Sequence, residues 1–185
     1  MNQLLLINRE RFLYTSKFTK KKPDGTGRTN LYGVYFVEGT LVATDGHYLV
    51  EFQNSFKQQD SASGEHQSYL LRVNKDIQGF LKNSKSEFVE LVEEATCYYL
   101  KDGNNLQFIE AIPEDFPNYK EIIPMETNKG VNEFTISATL LKDFEYDKQD
   151  FITIQTGESK YTPLRIRSKK AGMDMLGLLM PVMRF

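Results

Sequence analysis

The sequence carries a single cysteine, Cys97, so no internal disulfide can form. That usage suits a reducing compartment, and a cytoplasmic protein is expected. Cys97 sits in the strand-like run Thr96-Cys-Tyr-Tyr-Leu100 and is expected to be a small buried hydrophobe. No apolar run approaches the ~20 residues of a membrane helix, so no membrane contact is expected. The start, Met1-Asn-Gln-Leu-Leu-Leu-Ile7, has no basic leader and reads as a strand rather than a signal peptide. Charge of one sign is also lacking. With 23 Lys and Arg against 25 Asp and Glu, the net charge is −2. A generally basic nucleic-acid binder is therefore excluded, and any DNA contact has to come from uneven charge distribution. Catalytic motifs are missing as well. There is no Gly-rich phosphate loop, no His/Cys metal spacing and no nucleophile elbow. The sequence thus predicts no enzyme activity, no metal and no cofactor.

What is present is ordinary in bulk and uneven in detail. A chain of 185 residues with 40% apolar and 26% charged residues can bury a core in one or two domains. Seven basic residues fall between Arg9 and Arg28, against the two acids Glu10 and Asp24. Acids collect later, in 87–94 and 110–121.

A repeat emerges from the periodicity. Three times an apolar strand runs into a capping residue and then a short amphipathic helix. The strands are Leu4–Ile7, Tyr69–Val73 and Glu133–Ile136, and the caps are Asn8, Asn74 and Ser137. The helices are Arg9 to about Thr19, Lys75–Lys82 and Ala138–Tyr146. Asn and Ser suit the cap because their side chains accept a hydrogen bond from an unpaired backbone N–H. Three strands follow each helix: Asn30–Val37, Thr40–Thr44 and His47–Gln53; Glu87–Glu93, Thr96–Lys101 and Leu106–Ala111; Phe151–Gln155, Leu164–Ser168 and Asp174–Val182. Turns are expected at Glu38-Gly39, Asp45-Gly46, Asp102-Gly103-Asn104 and Thr156-Gly157. The fold class is α+β: three βαβββ units, with antiparallel sheets covered on one face by helices. The polar stretch Gln58–Gln67 reads as a linker, and Lys20–Thr29 as a mobile basic loop.

Three separated segments carry a resemblance: Leu41-Val-Ala-Thr-Asp-Gly-His-Tyr-Leu49, Phe116-Pro-Asn-Tyr-Lys-Glu-Ile-Ile-Pro124 and Leu178-Leu-Met-Pro-Val-Met-Arg-Phe185. Taken alone, Asp45-Gly46 is a hairpin turn and 178–183 a core strand. Together, and in this order, they resemble the bacterial DNA polymerase III β subunit, the sliding clamp. Residues 1–122, two units, resemble the clamp's middle domain. Residues 123–185, one unit, resemble the second half of its last domain. The chain has about half the length of a clamp protomer, so the resemblance implies a reduced homologue such as a phage or mobile element would carry.

In that family a groove receives short peptides from polymerases and clamp loaders. By matching position the resemblance implies a wall of Leu31, Thr44, Gly46, His47, Tyr48, Leu49, Pro117, Ile122, Leu178, Leu179, Met180, Pro181 and Val182. Apolar side chains with a few polar rim atoms suit a peptide with Leu or Phe anchors. Two departures change the rim: Tyr48 stands where Arg is usual, and Glu121 where a basic residue is common. His47 has no nucleophile beside it and is no catalytic candidate. Clamps also present basic helix faces to duplex DNA and contact phosphates without reading sequence. Here those positions would be Arg9, Arg11, Lys17, Lys20, Lys21, Lys22, Lys75, Lys82 and Lys142. The implied function is a processivity factor that encircles DNA, with four chains of three units making a twelve-unit ring. The alternative is a non-ring module that keeps the groove and competes with a host clamp for its peptides.

Overall fold

The computed structural model describes residues 2–21, 28–58, 67–123, 141–142, 152–155, 163–170 and 173–179. The two caps fall where the sequence places them. The Asn8 side chain accepts from the Arg11 N–H, and the Asn74 side chain from the Ile77 N–H. They start α1 (Arg9–Thr15) and α2 (Lys75–Asn83). Helix α1 is shorter than expected: a 3-10 turn, Ser16–Phe18, replaces its last residues. There the Ser16 and Thr19 hydroxyls donate to the carbonyls of Leu13 and Ser16, tightening the chain.

Around the helices run β1 (Asn2–Asn8), β2 (Gly33–Val37), β3 (Thr40–Thr44), β4 (Tyr48–Phe52), β5 (Phe56–Gln58) and β6 (Tyr69–Arg72). The remaining strands are β7 (Phe88–Glu94), β8 (Cys97–Asp102), β9 (Asn105–Ile109), β10 (Ile152–Gln155), β11 (Leu164–Lys170) and β12 (Met173–Leu179). Several limits move. Residues 29–32 form a 3-10 turn instead of opening β2. Strand β5, which the sequence did not signal, takes the start of the expected linker and pairs with β1. Strand β9 stops at Ile109, leaving Ala111 one isolated bridge to Leu71. The third unit's first strand and cap, Thr156-Gly157 and residues 180–182 lie outside the described residues; of its helix only Leu141 and Lys142 are described, and they are helical.

The hairpins use left-handed backbone as foreseen at Glu38-Gly39, Gly46 and Gly103. Ala95 and Thr96 do the same with no glycine, at φ of 48° and 69°, which is why that turn carried no signal. Cys97 is half-buried rather than fully buried, like every residue of β8 except the buried Leu100.

The strands form two antiparallel sheets, β5-β1-β7-β8-β9 and β10-β11-β12-β4-β3-β2-β6. The first two units exchange their first strands: β1 pairs with β7, and β6 with β2. The repeat holds in register. Tyr35 pairs with Val42, and 57 residues on Val92 pairs with Tyr99. The capping asparagines are 66 residues apart, so the first unit carries nine extra residues between its helix and β2, where the basic loop lies. Both sheets and both helices contribute to one core, including Leu5, Phe12, Phe36, Phe52, Leu71, Ile77 and Leu91. Burying each such side chain contributes about 1.5–3 kcal/mol. Neither unit closes that core alone, because each sends its first strand into the other's sheet.

Candidate functional site

Residues 41–49 form the hairpin between β3 and β4. The Asp45 carboxylate accepts from the backbone N–H of His47 at 2.9 Å and of Tyr48 at 3.0 Å. The Thr44 hydroxyl donates to the Tyr48 carbonyl and accepts from the Gly46 N–H. Gly46 adopts φ +96°, a conformation that side-chain-bearing residues rarely reach. These bonds make a rigid turn that leaves Gly46 and His47 exposed and draws Leu49 inward.

The decisive pairing is β4 with β12. Leu49 faces Leu178, and Tyr48 faces Leu179. Strand side chains alternate, so these neighbours go to opposite faces. Leu178 joins Leu49, Val42 and Tyr119 in a second apolar cluster on the face away from the main core. Tyr35, Val37, Phe116 and Ile123 pack around it. Leu179 instead is fully buried in the main core with Leu164 and Ile166, so its side chain does not share the surface of Leu178. Tyr48 also packs on the main-core side, edge-on to Phe18 at 5.8 Å.

The segment 112–123 roofs the second cluster. Ile112 is buried and donates its N–H to the Leu70 carbonyl. Phe116 stacks on Tyr35 at 5.0 Å and meets Tyr119 edge-on at 6.0 Å. Tyr119 is 6% exposed. Burial, then Glu51, Tyr35 and Glu38, push its phenol well above the ordinary tyrosine value, so the ring stays neutral. Under this roof lies a cavity of about 540 Å³, which Tyr35, Leu70, Ile112, Glu114, Phe116 and Tyr119 help to line.

The sequence-assigned wall is thus divided. Thr44, Leu49 and Leu178 meet across three adjacent strands. Pro117 is exposed and lines the cavity under the roof. Leu31 is buried in the 3-10 turn before β2, its carbonyl bound by the Lys20 N–H. Ile122 ends the 3-10 turn Tyr119–Ile122. Met180, Pro181 and Val182 lie outside the described residues. The sequence-assigned wall lacks Tyr35, Val42, Phe116 and Tyr119, which help to build the cluster. Their signal was the alternation Tyr35/Val37 and the aromatic pair in Phe116-Pro-Asn-Tyr119.

The basic residues differ in what holds them. The Arg9 guanidinium bonds the carbonyls of Ser86 at 2.8 Å and Leu81 at 3.1 Å, tying the start of α1 to the end of α2. Arg11 donates to the carbonyls of Gln53 and Asn54 at the end of β4. Both arginines therefore brace backbone. Lys17 lies over the Tyr14 ring at 4.5 Å. Lys21 is exposed, Lys20 is half-buried, and Lys22 is outside the described residues. Lys75 and Lys82, two turns apart on α2, are exposed, as is Lys142. Asp102 sits beside the end of α2, where hydroxyl donation from Ser84 and Ser86 holds its carboxyl below the usual range. Among the described residues no three His, Cys, Asp or Glu side chains converge as a metal site, and no helix is long and apolar enough to cross a membrane.

No family model and no curated protein matches the sequence. Solved structures do. The DNA polymerase III β subunit of Thermotoga maritima superposes with a TM-score of 0.71 at 15% identity, over 100% of this chain and 67% of that one. The sliding clamp of Bacillus subtilis gives 0.71 at 13%, over 100% and 65%. The β subunit of Borrelia burgdorferi, solved with a natural product, gives 0.71 at 16%, over 100% and 65%. The shared region is about two-thirds of a clamp chain, more than the half that length alone suggested. At these identities the likeness is one of architecture, and this chain has the α+β fold of the bacterial DNA polymerase sliding clamp over all of its length.

Proposed function

We propose that this protein is a non-catalytic clamp that surrounds duplex DNA together with further copies of itself and holds a polymerase or another partner by a short peptide. The clamp fold spanning the whole chain supports the reading most strongly. Residues 1–122 act as a complete clamp domain and 123–185 as part of a second. The peptide lies beside the exposed Gly46, His47 and Pro117, with Tyr48 partly exposed next to them and the buried Thr44, Leu49 and Leu178 beneath as support. Leu31, Ile122 and Leu179 complete the assigned set, and Met180, Pro181 and Val182 lie outside the described residues. Apolar anchors such as Leu and Phe suit a wall of this composition, and Met adapts it to varied partners. The exposed Lys75, Lys82 and Lys142, with Lys17 and Lys20–Lys22, supply salt-screened phosphate contacts without base readout. Arg9 and Arg11 add less, because their guanidinium groups brace backbone.

The engagement of these two guanidinium groups with backbone favours the second reading, a groove-bearing module that does not encircle DNA. Retention after a salt wash separates the two. A ring stays on closed circular duplex and leaves when the circle is cut, whereas the module leaves both. The groove is tested by fluorescence anisotropy with a labelled short peptide bearing adjacent Leu and Phe. Saturable binding is expected, weakened at least tenfold by His47→Ala with Pro117→Asp, two exposed positions. The groove assignment fails if the unaltered protein does not bind, or if the double variant binds equally well.

A further inference from the structure

We propose that the cavity under the 112–123 segment receives an arginine side chain of a partner protein, as a site apart from the peptide groove. The cavity holds about 540 Å³. Of the groove residues only Pro117 lines it; Thr44, Leu49 and Leu178 do not. The acidic stretch 110–121, which the clamp reading leaves unused, supplies its charge through Glu114 and Asp115.

One wall is aromatic. Tyr35 and Phe116 stack with their planes 9° apart, Tyr119 meets Phe116 edge-on, and all three line the cavity. Aromatic rings attract a cation, and a planar guanidinium stacks on them and sheds water more readily than an ammonium. The rim adds carboxylates. Glu114 accepts from neutral donors, the Thr29 hydroxyl and the Asn30 N–H, and no cation pairs with it among the described residues. Lys120, the cation on the rim, already faces Glu38 at 3.8 Å.

Two polar groups of the lining lack partners among the described residues. The exposed Asp115 engages Asn30 through its backbone carbonyl, and its carboxylate makes no hydrogen bond or ion pair. Tyr119 is only 6% exposed, yet its hydroxyl makes no hydrogen bond either. A phenol buried this far normally finds a partner. After burial, Glu51, Tyr35 and Glu38 push it up, so the hydroxyl sits in a negative field. A guanidinium entering here lies against the aromatic wall, donates to the Asp115 carboxylate and gives the Tyr119 oxygen the donor it lacks. An ammonium would meet the carboxylate but not match the flat wall.

The test is saturation-transfer difference NMR on the full chain, with Nα-acetyl-arginine methylamide as the probe. The citrulline analogue is the control, because it keeps the length and shape without the charge. Saturable binding of the arginine probe is expected, at least tenfold tighter than that of citrulline. Asp115→Asn should weaken it about tenfold. Tyr119→Phe, which keeps the ring, should weaken it too while leaving the urea midpoint at neutral pH unchanged. Glu87→Gln, at an exposed carboxylate away from the cavity, should change nothing. The proposal is overturned if the arginine probe does not saturate or if citrulline binds alike. Equal weakening by Glu87→Gln and Asp115→Asn also overturns it, because attraction to any surface carboxylate gives that result. Equal binding of Nα-acetyl-lysine methylamide overturns the choice of arginine. The probe carries no apolar anchor and no DNA is present, so failure here is distinct from failure of the groove or of the clamp reading.

Discussion

Gly33→Ala separates conformational preference from packing. Gly33 opens β2 at φ −118° and ψ 164°, extended backbone that any residue adopts. On that ground alone Ala would stabilise the chain by about 0.4–1 kcal/mol, because it removes freedom from the unfolded state. Packing reverses the sign. A Cβ at position 33 would lie 2.8 Å from Ile112 Cδ1, 2.9 Å from Leu70 Cδ1 and 2.9 Å from the Leu71 carbonyl oxygen. The two methyl groups can rotate aside. The carbonyl cannot, because Leu71 is held in the β2–β6 ladder by the pairing of Val34 with Leu71 and Gly33 with Arg72. Either the ladder opens or Ile112 is driven outward, and Ile112 anchors the segment that roofs Leu49 and Leu178 with Tyr119. Overpacking of this kind costs about 1–3 kcal/mol. The net expectation is a loss of about 1–2 kcal/mol, a fall in Tm of roughly 2–8 °C for a chain of this size. Urea unfolding followed by circular dichroism measures it. A variant as stable as the parent, or more stable, would refute the close approach.

Two further predictions follow from the helix ends and the buried phenols. Asn74→Ala removes the cap on the Ile77 N–H and should cost about 1 kcal/mol in urea unfolding, whereas Asn74→Asp should restore most of it; equal losses for both would mean the cap bond is not what stabilises α2. Burial, then Tyr98 and Glu93, push the Tyr69 phenol up to about 12 from 10.0. Because the folded value is the higher one, its contribution to stability is full below pH 10 and is lost as pH rises toward 12. Tyr119 shifts in the same direction. The urea midpoint should therefore fall between pH 9 and pH 12, and Tyr69→Phe should shallow that fall; an unchanged slope in the variant would contradict the assignment.

The local grammar of this chain was open to reading. Asn8 and Asn74 cap because a short amide side chain before an apolar period has few better uses, and both caps are in place. Two of the Gly-containing turns show left-handed glycine as their sequences imply, and a third, Glu38-Gly39, uses it at both residues. Eleven of the strands fall close to the expected positions because alternation and turn residues are written side by side in sequence. Ala95-Thr96 escaped notice because its left-handed turn is imposed by the β7–β8 pairing rather than by glycine. Strand β5 escaped because three residues carry no period, and only its pairing with β1 makes them a strand.

The sequence by itself determined the local grammar of the first two units: the caps Asn8 and Asn74, the helices they start, most of their strands, and that the two units repeat. These follow from interactions within a few residues, which the order of side chains specifies directly. The tertiary structure alone decided what the units make together. It decided that β1 and β6 cross into each other's sheets, and that β12 lies on β4. It sent Leu178 outward to Leu49 and Tyr119 while Leu179 went into the core. It also turned the guanidinium groups of Arg9 and Arg11 onto backbone carbonyls far away in the chain. Those outcomes depend on long-range pairing and on which face of a strand meets which neighbour, and a shift of one residue in register would reverse every one of the strand facings.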